Sequence, residues 1–403
     1  MTEKPELLSP AGDRERLLMA LRYGADAVYL AGRQFGMRSA AVNFTDEGLR
    51  EAVKLSHAQG AKVYVTCNTL PREEELKALP PYLEFLQDAG VDGLIIADLG
   101  VMELAKRHAP RVARHVSTQL GVINSATANV LFDMGADTVV LARETPLEDI
   151  RKIRANTPKE LRIEAFVHGA MCVSFSGRCL LSNYLTGRDA NRGQCAQPCR
   201  WKYHLVEEKR PGQYFEISED GGTHILNSHD MCMIEHLPEL IEAGVSSFKI
   251  EGRMKSAYYT AVVTNAYRHA LDAAIHGEAL DPVWVEETDK LSHRPYSTGF
   301  YFGQPGEYYG EESYFTRTDV AAVVERCDAE GNAVLTQRNK FYRGDELELL
   351  PPQGRPLKFR VEHMTDAEGN EIEDTRRAMM EIHMRLPMAV PPLTVVRKYR
   401  GTP

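Results

Sequence analysis

Short apolar runs recur along the first 250 residues, and most are followed by a stretch with apolar positions at helical spacing. Glu6-Leu-Leu-Ser-Pro-Ala-Gly12 precedes Arg14 to Tyr23, where Leu17, Leu18 and Leu21 share a face. Ala27-Val-Tyr-Leu30 precedes Asp46 to Gln59, Lys62-Val-Tyr-Val-Thr66 precedes a helix ending at Asp88, and Gly93-Leu-Ile-Ile-Ala97 precedes Gly100 to His108. Arg114-His-Val-Ser117 is followed by Ser125 to Met134, and Thr138-Val-Val-Leu141 by Leu147 to Arg154. Arg162-Ile-Glu-Ala-Phe166 runs into a cysteine-bearing loop. A helix at Ile234 to Glu242 then leads to the eighth strand, Ser247-Phe-Lys-Ile250, and a long helix over Ser256 to Ile275.

Strands this rich in Val, Ile and Leu, joined by helical crossovers, predict a parallel sheet buried on both faces. Tyr23-Gly-Ala-Asp26, Ala89-Gly-Val-Asp92, Met134-Gly-Ala-Asp137 and Ala243-Gly-Val245 each place Gly where a helix should close. Eight such units predict an α/β fold, a (β/α)8 TIM-like barrel over residues 1–280, with a cysteine-rich insertion, residues 169–226, after the seventh strand. A doubly wound open sheet is the alternative, because strand order cannot be read from one sequence.

The texture changes after the long helix. Residues 281–318 read as a connector, rich in Tyr, Gly and Pro from His293 to Tyr314, packed across the barrel within reach of its mouth. From Asp319 onward, Val320 to Glu325, Ala333 to Gln337, Asp345 to Leu350 and Leu357 to Val361 are separated by Glu330-Gly-Asn, Arg343-Gly-Asp and Pro351-Pro-Gln-Gly. Short strands at this spacing predict a small β-barrel domain over 319–403.

Composition adds the setting. Hydrophobic content of 43% and charged content of 26% are those of an ordinary globular protein. Glu3, Lys4 and Glu6 stand where a signal peptide needs a basic and then an apolar region, and no apolar run approaches the ~20 residues of a membrane span. A cytoplasmic location is expected, with thiols reduced. The net charge of −9 argues against broad electrostatic nucleic-acid binding, though not against a local basic face.

Four of the seven cysteines fall in one stretch, spaced Cys172-x6-Cys179-x15-Cys195-x3-Cys199 among Gly, Asn, Asp and Arg. Thiols gather in a loop to form disulfides, to bind zinc or to bind an iron–sulfur cluster; scattered core cysteines are the plain alternative. Disulfides suit a secreted chain. Zinc favours two tight knuckles, and only Cys195 and Cys199 offer one, so the spacing leans toward a cluster. Cys232 is a rival fourth ligand to Cys199, while Cys67 and Cys327 read as packing residues.

Glu164-Ala-Phe-Val-His-Gly169-Ala-Met-Cys172 followed by Gly177-Arg-Cys179-Leu-Leu-Ser182 resembles the signature of the collagenase-like peptidase family U32. The likeness runs from Leu7-Leu-Ser-Pro-Ala-Gly-Asp13 to Lys249-Ile-Glu-Gly-Arg253 and into the tail. It implies oxygen-independent hydroxylation of tRNA uridine, ribosomal RNA cytidine or a quinone precursor, with a 4Fe-4S cluster on Cys172, Cys179, Cys195 and Cys199. For the tRNA branch it also implies prephenate as co-substrate.

On a barrel, chemistry sits at the carboxyl ends of the strands. Ser9, Asp13, Asn68, Asp98, Gln119, Arg143, Glu144, His168, Lys249, Glu251 and Arg253 fall there. Glu164, His168, Lys249 and Glu251 are the catalytic candidates. Arg143 and Arg253 are candidates for a dicarboxylate, which guanidinium groups bind in bidentate fashion, and Asn68 and Gln119 complete the substrate set. Arg188, Arg192, Arg200, Lys202, Lys209 and Arg210 alternate with Tyr184, Trp201 and Tyr203, cations and ring faces suited to single-stranded RNA.

The expected function is therefore a tRNA hydroxylase forming 5-hydroxyuridine at the wobble position. Three alternatives stand beside it: a U32-type peptidase, a zinc-stabilised RNA-binding module, and a hydroxylase of another RNA or a quinone precursor. Against a protease, the chain lacks HExxH and GxSxG motifs.

Overall fold

The computed structural model describes residues 4–37, 43–172, 174–190, 193–201, 205–206, 214–215, 228–305 and 317–400. Strands β1 (Glu6–Pro10), β2 (Ala27–Leu30), β3 (Lys62–Cys67), β4 (Gly93–Ile96), β5 (Ala113–Val116), β6 (Thr138–Val140) and β7 (Arg162–Ala170) alternate with helices α1 (Arg14–Arg22), α2 (Asp46–His57), α3 (Leu79–Asp88), α4 (Leu99–His108), α5 (Ser125–Asp133) and α6 (Leu147–Ala155). The insertion carries α7 (Leu181–Thr186) and a ribbon of β8 (Leu205–Val206) with β9 (Tyr214–Phe215). After it come β10 (Asp230–Cys232), α8 (Leu237–Glu242), β11 (Ser247–Ile250) and α9 (Ala257–His276).

Closure decides between the two expected architectures. β11 pairs in parallel with β1 (Leu7 opposite Phe248) and with β7 (Ala165 opposite Phe248), so β1 to β7 and β11 form a closed eight-stranded parallel barrel. The open doubly wound sheet is excluded. The helix-closing glycines act as read: Gly24 and Gly244 have φ of 105° and 88°, where a β-carbon would be strained. The main core lies between strands and helices, while Leu8, Ala27, Tyr29, Tyr64 and Ile95 form a separate cluster inside the barrel.

β7 is longer than its sequence pattern predicts. Its first half closes the barrel; its second half rises above the rim and pairs antiparallel with β10, Asp230 opposite Ala170 and Cys232 opposite His168. The connector is more ordered than expected, with α10 (Pro282–Asp289) and β12 (Tyr296–Ser297), the latter parallel to β10. Residues 306–316 of the connector lie outside the described residues.

The last domain contains β13 (Thr318–Cys327), β14 (Asn332–Gln337), β15 (Glu346–Leu350), β16 (Leu357–Arg360), β17 (Met364–Thr365), β18 (Glu381–Arg385) and β19 (Val395–Tyr399). They form one sheet in the order β16-β15-β19-β13-β14-β18-β17. Among the described residues no ladder joins the edge strands β16 and β17, so the small β-barrel domain expected here takes the form of an antiparallel half-barrel. It has its own core, including Leu335, Phe341 and Ile382, and covers the outer helices. The buried Tyr23 hydroxyl of α1 lies 2.8 Å from the Leu350 carbonyl and accepts the Val395 N–H at 3.2 Å. The fully buried Arg397 reaches Glu287 of α10 at 2.6 Å and Glu348 at 2.5 Å.

Candidate active site

The carboxyl ends of the barrel strands open into a cavity of about 480 Å3. Barrel residues Tyr29, Thr66, Asn68, Gln119, Arg143 and Lys249 line one side, and the insertion supplies Cys172, Cys179, Cys195 and Cys199 on the other. The insertion is tied to the rim at its root. Arg143 Nη1 donates to the Ala170 carbonyl at 3.0 Å, and Ser228 Oγ and Arg294 Nη2 donate to the Met171 carbonyl at 3.0 and 3.3 Å. Arg294 also grips Asp230 through Nε and Nη2, at 2.9 and 2.7 Å, with both residues buried. Burial opposes ionisation of Asp230, but the Arg294 guanidinium outweighs it and holds the carboxyl below its ordinary range.

All four loop cysteines line this one cavity. The Leu181 N–H donates to Cys179 Sγ at 3.4 Å and the Gln197 N–H to Cys195 Sγ at 3.3 Å. Among the described residues, no three His, Cys, Asp or Glu side chains are gathered closely enough for a ready-made metal cage. The donor set is nonetheless all sulfur, which suits an iron–sulfur cluster or zinc rather than a hard cation. Cys232 does not line the cavity; it sits on β10, 3.7 Å from the Tyr267 hydroxyl, with its thiol pushed up by burial. Cys67 is fully buried in the main core, and Cys327 packs against the half-barrel core.

Beneath the cavity, Lys249 Nζ donates to Glu164 Oε1 at 2.6 Å and lies 4.8 Å from the Tyr29 ring centre. Glu164 itself is inside the barrel rather than on its rim. Burial alone would raise its pKa, but the Lys249 ammonium and His115 together outweigh it and lower it from 4.5 to about 2. His115 Nδ1 lies 3.8 Å from the other Glu164 carboxylate oxygen. The Arg143 guanidinium stacks 4.2 Å above the Phe166 ring, and its Nε is buried without an acceptor among the described residues. Arg253, also buried, donates to Thr66 Oγ1 at 2.9 Å and Asn43 Oδ1 at 3.2 Å. Asn68 Nδ2 donates to Gln119 Oε1 at 2.9 Å, and Asn68 Oδ1 accepts the Met37 N–H at 3.1 Å, fixing the β2–α2 loop to the same wall. Glu251 lines the cavity as well.

Several rim candidates belong elsewhere. His168 does not line the cavity: a register shift at Lys249/Ile250 accompanies its turn toward α9, where it is buried among Tyr259, Tyr267 and Tyr296. Burial lowers its pKa from 6.5 to about 3, so it is neutral. Ser9 Oγ bonds Thr264 Oγ1 of α9 at 2.6 Å, while Asp13 and Asp98 cap α1 and α4. Sequence reasoning missed Lys255 and Ser176 in the lining and Arg294 behind it, none of which carries a motif.

On the insertion, Tyr184 is 81% and Trp201 42% exposed, available as stacking faces. Arg188 is exposed. Arg192, Lys202, Tyr203, Lys209 and Arg210 lie outside the described residues, as does the side chain of Arg200.

The chain is 39% identical over 405 residues to tRNA hydroxylation protein P1 of Bacillus subtilis (strain 168), covering 99% of this chain and 96% of that one. It is 37% identical over 410 residues to tRNA hydroxylation protein P of Escherichia coli (strain K12), covering 91% and 90%. It is also 38% identical over 355 residues to the 23S rRNA 5-hydroxycytidine C2501 synthase of Escherichia coli (strain K12), covering 86% of this chain and 52% of that one. The model of peptidase family U32 matches residues 12–311, barrel and insertion together, and the U32 C-terminal domain matches residues 316–397. By sequence and by the two-part build that the matches span, the chain belongs to peptidase family U32.

Proposed function

We propose that this chain is an RNA hydroxylase that acts on tRNA in the cytoplasm, forming 5-hydroxyuridine at the wobble position with a 4Fe-4S cluster and prephenate. The observation that carries the reading is one cavity faced by four cysteine side chains and by the cations of Arg143, Lys249 and Arg253. The near full-length relatives named for tRNA hydroxylation support the substrate class.

Cys172, Cys179, Cys195 and Cys199 would hold the cluster, which supplies electron-transfer or Lewis-acid chemistry when bound. The chain's own residues bind and orient. Arg143 keeps donors free for an anion, and Arg253 offers a second guanidinium, so the pair matches a dicarboxylate. Lys249, ion-paired with the buried Glu164, presents a fixed cation at the floor. The amides of Asn68 and Gln119 can read the edge of a flipped base, with Tyr184 and Trp201 stacking its neighbours.

A second reading, hydroxylation of ribosomal RNA cytidine, is favoured by the 38% identity to the 23S rRNA enzyme, although the chain spans only 52% of that protein. Nucleoside analysis of tRNA and ribosomal RNA from a strain lacking the gene separates the two. Loss of tRNA 5-hydroxyuridine, restored by complementation, is expected; unchanged tRNA with missing 5-hydroxycytidine would transfer the assignment. Iron and zinc assays on anaerobically purified protein test the cofactor, and a colourless zinc protein would favour the binding module.

A further inference from the structure

Between Cys172 and Cys179 the chain makes an unusual turn. Ser176 has φ 47° and ψ 33°, the left-handed region that a β-carbon disfavours, yet it is not glycine and its side chain is buried. The residue that meets this turn comes from the β6–α6 loop. Glu144 Oε1 accepts the Ser176 N–H at 2.7 Å, and Glu144 Oε2 accepts the Ser176 hydroxyl at 2.7 Å. Both carboxylate oxygens are therefore spent on one residue of the insertion. The preceding residue, Arg143, grips the Ala170 carbonyl just before Cys172. Two adjacent barrel residues thus hold the thiol-bearing segment at its root and at its reversal.

We propose that Glu144 is a positioning residue: it holds Ser176 in the left-handed turn and thereby aims Cys172 and Cys179 into the same cavity. Charge-assisted bonds to a backbone N–H and a hydroxyl are the strong kind, able to support a turn that Ser would otherwise avoid. Without the clamp the segment relaxes toward right-handed or extended backbone, and the two sulfurs separate. The consequence for metal uptake rests on the cluster reading; the clamp itself does not.

Two measurements on the full-length chain test it. Hydrogen exchange on metal-free protein reads the clamp: in Glu144→Ala the Ser176 amide should exchange about tenfold faster or more than in the parent. Iron per chain after anaerobic purification reads the consequence, with about a fivefold drop expected in Glu144→Ala. Glu144→Ala/Ser176→Gly should recover most of the iron, because glycine adopts the left-handed turn unaided. If Glu144→Ala fails to fold, Glu144→Gln carries both measurements with smaller changes. Parental exchange at Ser176, parental iron loading in the single variant, or no recovery in the double variant overturns the proposal. A parent chain that takes up no iron instead overturns the cluster reading, and the exchange measurement still decides the clamp.

Discussion

The Lys249 ammonium stands 2.6 Å from the Glu164 carboxylate at the base of the cavity, and both groups are buried. Removing one partner strands the other as an unpaired buried charge, typically at about 3–5 kcal/mol. Lys249→Met should destabilise the protein by that order, and Lys249→Met/Glu164→Gln should recover much of the loss. Urea midpoints check this, and a Lys249→Met variant as stable as the parent would refute the pairing.

The same pair sets an acid limit. Glu164 titrates at about 2 when folded against 4.5 ordinarily, so its contribution is complete above pH 4.5. It is lost as pH falls from 4.5 toward 2, because the unfolded chain takes up the proton first, for about 3 kcal/mol at most. Glu164→Gln should flatten the stability curve in that window.

His168 acts in a different window. Buried and neutral, it titrates near 3, whereas the unfolded chain protonates below 6.5. Stability should therefore fall as pH drops from 6.5 toward 3, by up to about 1.4 kcal/mol per pH unit from this residue. His168→Phe keeps a ring among the three tyrosines and should reduce the pH 7 to pH 5 difference in urea midpoint. An unchanged difference would mean that His168 takes up its proton over the same pH range in the folded and unfolded chain.

Arg294 holds the root of the insertion. Arg294→Met leaves Asp230 buried and unpaired and frees a donor from the Met171 carbonyl, so a loss of about 3–5 kcal/mol is expected. Arg294→Lys keeps the charge but not the fork and should fall between, as melting temperature would show.

Cys199 faces the cavity and Cys232 does not. Cys199→Ser should lose most of its iron on anaerobic purification, while Cys232→Ser keeps it. Parental iron in Cys199→Ser with loss in Cys232→Ser would exchange their roles.

The barrel was legible because its cues are local: apolar strands, helical spacing and glycines such as Gly24 and Gly244 at helix ends. The four cysteines stood out by spacing. What was not legible depends on side-chain direction. His168 occupies a strand end like Lys249, yet the register shift beside β11 sends one into a tyrosine cage and leaves the other in the cavity. Asp13 and Asp98 were open to a better reading, since each immediately precedes a helix and caps it. β10 and β12 are too short for a periodic signal, β19 (Val-Val-Arg-Lys-Tyr) does not alternate, and β18 (Glu-Ile-His-Met-Arg) does alternate and was open to a better reading. The bond between Glu144 and Ser176 joins residues 32 apart and has no counterpart in composition or period.

The half-barrel's hold on the outer helices bears on how the protein can be divided. Tyr23 and Glu287 have buried polar atoms whose partners, Val395 and Arg397, come from β19. A chain cut before residue 317 would leave that hydroxyl and that carboxylate facing bare solvent beside the uncovered apolar flank of α1 and α9. Work on the barrel half alone would therefore start from a sticky, weakened fragment.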